Sequence, residues 1–501
     1  MTDAIRTDWL ARQALYHGAR PAVVWEPTGE SLSFADLDRL GSALARALHE
    51  RFGVASGDRV AILAENSLEH VLLFVACQKS GAILVPLNYR LTGPELAYLV
   101  EDSDPTVVFV ADACTLASDV RQVPLADVRP LAEGDATLAP QAPVTHDDPL
   151  MLLYTSGTTG RPKGAIYTHG MLVWNALNSI HRLSLTPGDV SFNAAPFYHT
   201  GGWNVLLTPF FLAGGTTILL DRFDADALLR LCDARGITIL WGVPTMLQMM
   251  AESPAFEDAS LTSVRYAIVG GEPMPAPLTR TWQAKGVPVR QGFGMTEVGV
   301  NCFSLPEADA VRKMGSIGFP NLFVDIRILD ADGQEVATGE TGELVFRGPV
   351  VTPGYWRNPE ATAAAFTPDG WFRSGDLVRQ DDEGYVYVVG RLKEMYISGG
   401  ENVYPAQVES AIYGHPAVSE VAVIGVPDDT WGEAVKACVV PKPGTTVDPD
   451  DIIAFTRERL AGFKVPKTVE VIDAMPRNPS GKILRRELRA PFWEGRDRQV
   501  N

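Results

Sequence analysis

The stretch Tyr154-Thr155-Ser156-Gly157-Thr158-Thr159-Gly160-Arg161-Pro162-Lys163-Gly164 follows the apolar run Leu150-Met151-Leu152-Leu153 and packs hydroxyls, three glycines and a lysine into one loop. A strand that ends this way reads as part of an α/β sheet whose loop holds a polyphosphate. Glycines let backbone N–H groups turn toward an anion, the hydroxyls add donors, and Lys163 supplies a movable positive charge. Thr155, Ser156, Gly157, Thr158, Thr159 and Lys163 are therefore candidate phosphate ligands. The spacing G-x-x-G-x-x-K differs from the P-loop pattern G-x-x-x-x-G-K-[ST]. A bare Ser/Thr/Gly cluster is more often a polar surface turn, so the reading depends on what surrounds it.

Outward from this loop, short β-rich runs alternate with helical patterns from Leu32 to about Gly390, as in Arg59–Leu63 followed by Leu68–Gly81. Such alternation predicts an α/β fold with largely parallel sheets. Further strands are expected at Thr217–Leu220, Thr238–Trp241, Tyr266–Val269 and Val287–Arg290. Ligands gather at the carboxyl ends of strands in such folds, so the residues just past them are the expected site lining. After Gly333, the runs Gly342–Arg347 and Gly384–Val389 read as antiparallel or barrel-like. Roughly 110 residues follow Gly390, enough for a small α/β domain. Its expected strands are Val421–Val426, Ala437–Val440 and Val469–Ile472, with helices near Ala406–Tyr413 and Pro449–Leu460. The division is a large domain over 1–390 and a small one over 391–501.

Several other stretches carry chemistry. Gln291-Gly292-Phe293-Gly294-Met295-Thr296-Glu297 offers a ring, close-approach glycines, a hydroxyl and a carboxylate, which suits a nucleoside monophosphate and a hard cation. Asp376, in Trp371-Phe372-Arg373-Ser374-Gly375-Asp376, can accept from the two hydroxyls of a ribose. Gly270-Gly271-Glu272-Pro273 lies just past the strand ending at Val269, and Gly271 permits close approach to a ligand. Pro196–Trp203 combines aromatics with the single imidazole of His199. Ser398-Gly399-Gly400-Glu401-Asn402-Val403-Tyr404-Pro405 is a second glycine-bearing loop. Arg477-Asn478-Pro479-Ser480-Gly481-Lys482-Ile483-Leu484-Arg485-Arg486 lies in a basic tail. Between Lys464 and Arg489 there are seven basic and three acidic residues. A solvated basic turn is the plain alternative there, for Arg485, Arg486 and Arg489 above all.

Taken together and in this order, these motifs resemble the AMP-forming adenylating superfamily of acyl-CoA synthetases, adenylation domains and beetle luciferases, along essentially the whole chain. The resemblance implies ATP, Mg²⁺ and CoA as ligands. Phe293 would stack on adenine, with Gln291, Gly292, Gly294, Gly271 and Glu272 around the nucleotide. Many relatives carry a small residue at the position of Glu272, although Glu is also seen. Thr296 would contact the α-phosphate, and Glu297 with Thr158 would hold Mg²⁺. Asp376 and Arg391 would bind the ribose. His199 would form the wall between the carboxylate and the thiol entrance, and Lys482 would be the catalytic cation of adenylation. Lys393 would be the hinge, about which the small domain turns to withdraw Lys482 and present Gly399 and Gly400 for thioester formation.

Composition sets limits. A formal charge of -18 over 501 residues disfavours a nucleic-acid binder. Cys77, Cys114, Cys232, Cys302 and Cys438 are scattered without metal-ligand spacing, as expected of reduced thiols. With no apolar run of membrane-spanning length and no apolar leader, a cytoplasmic protein is expected. A homodimer is left open. The acyl pocket is expected from Trp203, Asn204, Val243, Gly270, Met295 and Val298, with Trp241, Gly242, Met246 and Asn301 nearby. These residues are mostly apolar and include no cation to pair a second carboxylate. Medium- or long-chain fatty acids, or aryl and arylalkanoic acids, fit best. An amine or a separate carrier protein as acyl acceptor, and a non-enzymatic nucleotide binder on the same scaffold, are the competing readings.

Overall fold

The computed structural model describes residues 8–137, 143–155, 161–398, 401–428, 430–477 and 483–494. Two large sheets build the first part of the chain. One runs in the order Phe319–Pro320, Gly299–Ser304, Val289–Met295, Tyr266–Val269, Ile239–Gly242, Val190–Asn193, Thr216–Leu219, Pro21–Trp25, Glu30–Ser33. From Val289–Met295 to Pro21–Trp25 its strands are parallel, and antiparallel strands close both ends. The second sheet runs Gln122–Pro124, Val107–Val110, Arg59–Leu63, Ile83–Leu87, Pro149–Thr155, Lys163–Thr168 and is parallel except for its last pair.

The two sheets share a helical layer. Helix Leu68–Ser80 is apolar on almost every face, as a helix enclosed on all sides must be, and ends at Gly81 with φ 73°. With helix Phe34–Phe52 it belongs to one core cluster that reaches Val23 and Leu219 of the first sheet and Val60 and Leu84 of the second. Phe34–Phe52 opens with a capping box, in which Ser33 and Asp36 satisfy each other's backbone N–H groups.

The expected barrel-like region is a four-stranded antiparallel sheet, Asp325–Leu329, Thr341–Arg347, Phe372–Gln380, Val386–Arg391. It closes over Val298, Phe303 and Phe346. The last sheet holds Glu401–Val403, Tyr396–Ser398, Gly432–Pro441 and Val418–Asp428, with Thr468–Val471 parallel to Gly432–Pro441. Helices Pro405–Ile412, Pro449–Arg457 and Arg485–Trp493 accompany it. The chain leaves the four-stranded sheet at Arg391 and enters the last sheet at Tyr396, so Lys393 sits in the short link between them. Among the described residues no helix is long and apolar enough to cross a membrane.

Candidate functional site

The glycine-rich loop is the turn of a β-hairpin. Pro149–Thr155 pairs antiparallel with Lys163–Thr168, and Thr155 lies directly opposite Lys163. Lys163 is thus held on a strand end at the base of the loop, with its Nζ 5.2 Å from the centre of the Tyr355 ring. The segment after residue 350 lies along the hairpin: Ala165 bridges Tyr355, and the Trp356 N–H donates to Gly164 O at 2.8 Å. Ser156, Gly157, Thr158 and Thr159 lie outside the described residues.

Glu297 is brought to the same place. It lies in the 3-10 turn Thr296–Val298 between strands Val289–Met295 and Gly299–Ser304, and both Thr296 and Glu297 are buried. The Tyr355 hydroxyl donates to Glu297 Oε1 at 3.0 Å and the Thr155 hydroxyl approaches the same oxygen at 3.4 Å. Burial and the neighbouring Glu297 carboxylate push the Tyr355 phenol well above its usual range, so it remains a proton donor. That arrangement fits Mg²⁺, a hard cation served by carboxylate oxygen. No cluster of three or more His, Cys, Asp or Glu side chains capable of holding a metal occurs among the described residues.

The nucleotide side is built from backbone. Gly271 has φ 84°, and a Cβ on it would meet only Val243 at 3.5 Å, leaving the outward face of the loop open. The Gln291 side chain holds this loop from behind. Its Nε2 reaches Val269 O at 3.3 Å and Glu272 O at 3.2 Å, while its Oε1 accepts the Met274 N–H at 3.1 Å. Gln291 therefore shapes the site through the loop, whereas the sequence suggested a direct ligand contact. Gly294 likewise serves the hairpin, since a Cβ there would lie 2.3 Å from the Val300 carbonyl. Gly292 has only ordinary contacts around it. The Phe293 ring is half-buried, lies parallel to Phe346 at 6.3 Å and meets Phe303 edge-on at 6.0 Å.

Asp376 and Arg391 face each other on adjacent strands, with Asp376 Oδ1 2.8 Å from Arg391 Nε. Gly375 before it has φ 69°, and its N–H donates to Glu343 Oε1 at 3.2 Å. The two expected ribose residues thus form one unit. His199 begins the short helix Thr200–Asn204, where its Nδ1 accepts the Gly201 N–H at 3.1 Å. That bond puts the proton of the neutral ring on Nε2.

On the acyl side the structure corrects the sequence. Trp203 is fully buried, stacks on Phe74 at 5.1 Å, packs against Phe197 at 4.2 Å, and donates from Nε1 to Phe197 O. It belongs to the hydrophobic core. Asn204 is also enclosed: its Nδ2 donates to Thr200 Oγ1 and its Oδ1 accepts from Thr208, at 3.1 and 3.0 Å. Val298 belongs to the core under the four-stranded sheet. Val243, Gly270 and Met295 keep partial exposure. Trp241 is nearly buried and approaches the position a Gly201 Cβ would occupy at 3.5 Å. Asn301 joins a buried amide network, donating from Nδ2 to Ser179 Oγ at 2.5 Å and to Val205 O at 3.0 Å.

Gly399, Gly400 and Lys482 lie outside the described residues. Their surroundings are firm: Ser398 is buried opposite Gly432, and Ile483 bridges Arg477. Two residues that the sequence reading passed over stand out. Tyr355 donates to the Glu297 carboxylate, and Arg485, for which a solvated turn was the plain alternative, grips the buried Glu409.

With this geometry in view, comparison with known proteins gives the family. The family model for AMP-binding enzymes matches residues 10–356 and that for the AMP-binding enzyme C-terminal domain matches residues 407–482. A feruloyl-CoA synthase from an Amycolatopsis species is 43% identical over 93% of this chain and 94% of its own length. An indoleacetate–CoA ligase from Aromatoleum aromaticum is 39% identical over 96% and 97%. The crystal structure of ATP-bound MatB from Rhodopseudomonas palustris superposes with TM-score 0.89 at 35% identity, covering 97% of this chain and 99% of that one. The fold and site define an adenylate-forming enzyme. The chain belongs to the AMP-binding enzyme family, among the AMP-forming acyl- and aryl-CoA synthetases.

Proposed function

We propose that the protein uses ATP to convert an aryl or arylalkanoic acid to its acyl-adenylate and then passes the acyl group to CoA, releasing AMP and pyrophosphate. The observation that carries this reading is the meeting of Glu297, Tyr355, Thr155 and Lys163 at the base of the glycine-rich hairpin. A carboxylate oxygen of the acid attacks the α-phosphorus of ATP, the bond to the bridging oxygen breaks, and pyrophosphate leaves. Lys163 on the hairpin and Lys482 from the small domain offset charge on the transferred and departing phosphates, and Thr296 donates to the α-phosphate. Mg²⁺, held by Glu297 with Thr158, would supply electrostatic relief to the same phosphates. Asp376 and Arg391 fix the ribose, and the Gly270–Glu272 loop takes the adenine face that Gln291 shapes.

In the second half the CoA thiolate attacks the acyl carbon and AMP departs. The small domain carries a surface suited to the nucleotide end of CoA. A cavity of about 310 Å³ is lined by Ser398, Trp431, Arg457, Phe463 and Lys467. Trp431 is 43% exposed and Lys467 Nζ lies 5.2 Å from its ring centre. Aromatic faces beside cations suit a base with phosphates, and Ser398 leads directly into Gly399 and Gly400. The aryl preference draws on the two relatives named above, whose printed acids are ferulate and indoleacetate. A fatty acid is the second choice.

Incubation with ATP, Mg²⁺ and a panel of aryl and fatty acids, with and without CoA, tests the reading by mass spectrometry of products. CoA-dependent formation of aryl-CoA and AMP is expected. Adenylate that accumulates and ignores CoA would assign another acceptor.

A further inference from the structure

Arg485 sits three residues after Lys482, at the head of helix Arg485–Trp493. Its guanidinium grips the Glu409 carboxylate as a fork: Nε and Nη2 donate to Oε1 at 3.1 and 3.0 Å, and Nη2 to Oε2 at 2.8 Å. Its remaining nitrogen, Nη1, lies 3.6 Å from Glu394 Oε2. Glu409 is buried on the helix Pro405–Ile412, and its Oε1 also accepts the Val423 N–H at 2.8 Å. Burial pushes the Glu409 carboxyl above its usual range against the pull of Arg485, so this is an ion pair with a heavy desolvation cost. A group kept at such cost is a fair place to look for a positioning task.

The three segments that meet at Arg485 are those the reaction cycle needs to coordinate. Glu394 directly follows Lys393. Glu409 lies on the helix that begins where the stretch Ser398–Pro405 ends. On the third side, Arg477 and Ile483 form a bridge and the Leu484 N–H donates to Pro476 O at 2.7 Å, so the chain entering and leaving 478–482 comes together at one point. Ile483 and Leu488 pack on Ala422, Ile424 and Cys438, and Arg477 pairs with Glu420 at 2.5 Å.

We propose that Arg485 is a positioning residue of the adenylation step: through Glu409 and Glu394 it ties the base of the Lys482 segment to the turn behind the hinge. This rests on the functional reading above, in which Lys482 acts in adenylation and Lys393 is the hinge. It explains why a planar fork stands at position 485 where a lysine would serve a solvated turn.

The test compares the two half-reactions and the melting temperature in E394Q, R485Q, R485K and K482A. Pyrophosphate–ATP exchange reads the first half, and thioester formation from a supplied acyl-adenylate reads the second. R485Q is expected to lower exchange by roughly 10- to 100-fold, the scale of a misplaced catalytic group. R485K keeps the charge but loses the fork, and should stay within a few-fold of R485Q. E394Q should lower exchange roughly threefold, as for a partly exposed pair, with unchanged melting and an unchanged second half. If both half-reactions fall together with the melting temperature in R485Q, and E394Q is silent, Arg485 is a fold anchor only and the proposal is overturned. Full exchange in R485K would overturn it as well. K482A separates the proposal from its basis: intact exchange in K482A removes the functional reading itself, whereas impaired K482A beside normal R485Q removes only the positioning role.

Discussion

The two halves of the site are built differently. Around the proposed nucleotide site, described groups are braced in pairs: Glu297 by Tyr355 and Thr155, Asp376 by Arg391, Gly375 by Glu343, and the Gly270–Glu272 loop by Gln291. On the acyl side, the large residues that look like pocket walls are absorbed into the core or into a buried amide network. The nucleotide is the same for every acid, so its half can be preorganised around fixed hydrogen bonds. The acid differs between enzymes, and its half is set by the space that core packing leaves.

The sharpest break between the halves comes from Glu297→Gln. It should lower pyrophosphate exchange by roughly 10²–10³-fold, as for loss of a central electrostatic contact, for every acid alike and with little change in melting temperature. A loss confined to some acids would erase the distinction. Tyr355→Phe removes one hydrogen bond to a charged oxygen, worth about 1.5–3 kcal/mol, so exchange should fall at least about tenfold. The KM for the acid should be nearly unmoved.

Trp203→Phe tests the acyl side. Losing the bond to Phe197 O and part of the packing on Phe74 should cost about 1–2 kcal/mol of stability, read as an earlier denaturant midpoint, with the ranking of acids preserved. A changed ranking at full stability would return Trp203 to the pocket.

The last expectation concerns pH. Burial pushes His70 down to about 3 and His169 down to about 4, from 6.5. Both folded values are depressed, so protons bind the unfolded chain first. The stability these groups contribute is present above pH 6.5 and is lost as pH falls through that value toward 4 and then 3. Each histidine should contribute a slope of about 1.4 kcal/mol per pH unit within its window. His70→Gln should flatten the decline of melting temperature below pH 6.5; an unaltered decline would show that His70 charges in the folded state.

Much of the fold was legible because its elements announce themselves locally. Arg59–Leu63 and Leu68–Ser80 appear nearly where their patterns put them, and so do the antiparallel runs after residue 333. Boundaries moved where context decides. The expected strand Val287–Arg290 begins at Val289 and runs on to Met295, because Gly292 and Phe293 pair with the strand Gly299–Ser304. The phosphate loop was legible as chemistry, but its hairpin was not: Lys163–Thr168 reads as more of the same loop until it is seen against Pro149–Thr155. Tyr355 and Arg485 escaped for another reason. Their partners are 58 and 76 residues away, and only tertiary structure brings a phenol to Glu297 or a guanidinium to Glu409. Trp203 misled because indole is common in both pockets and cores.

Because Thr155 and Lys163 are cross-strand neighbours, the glycine-rich segment starts and finishes within one rung of the sheet. It is a cassette whose length and composition can be exchanged with that of a relative while the ladder on either side keeps its register. If the loop holds the triphosphate as proposed, grafting at a single rung would retune that grip without repacking the domain beneath.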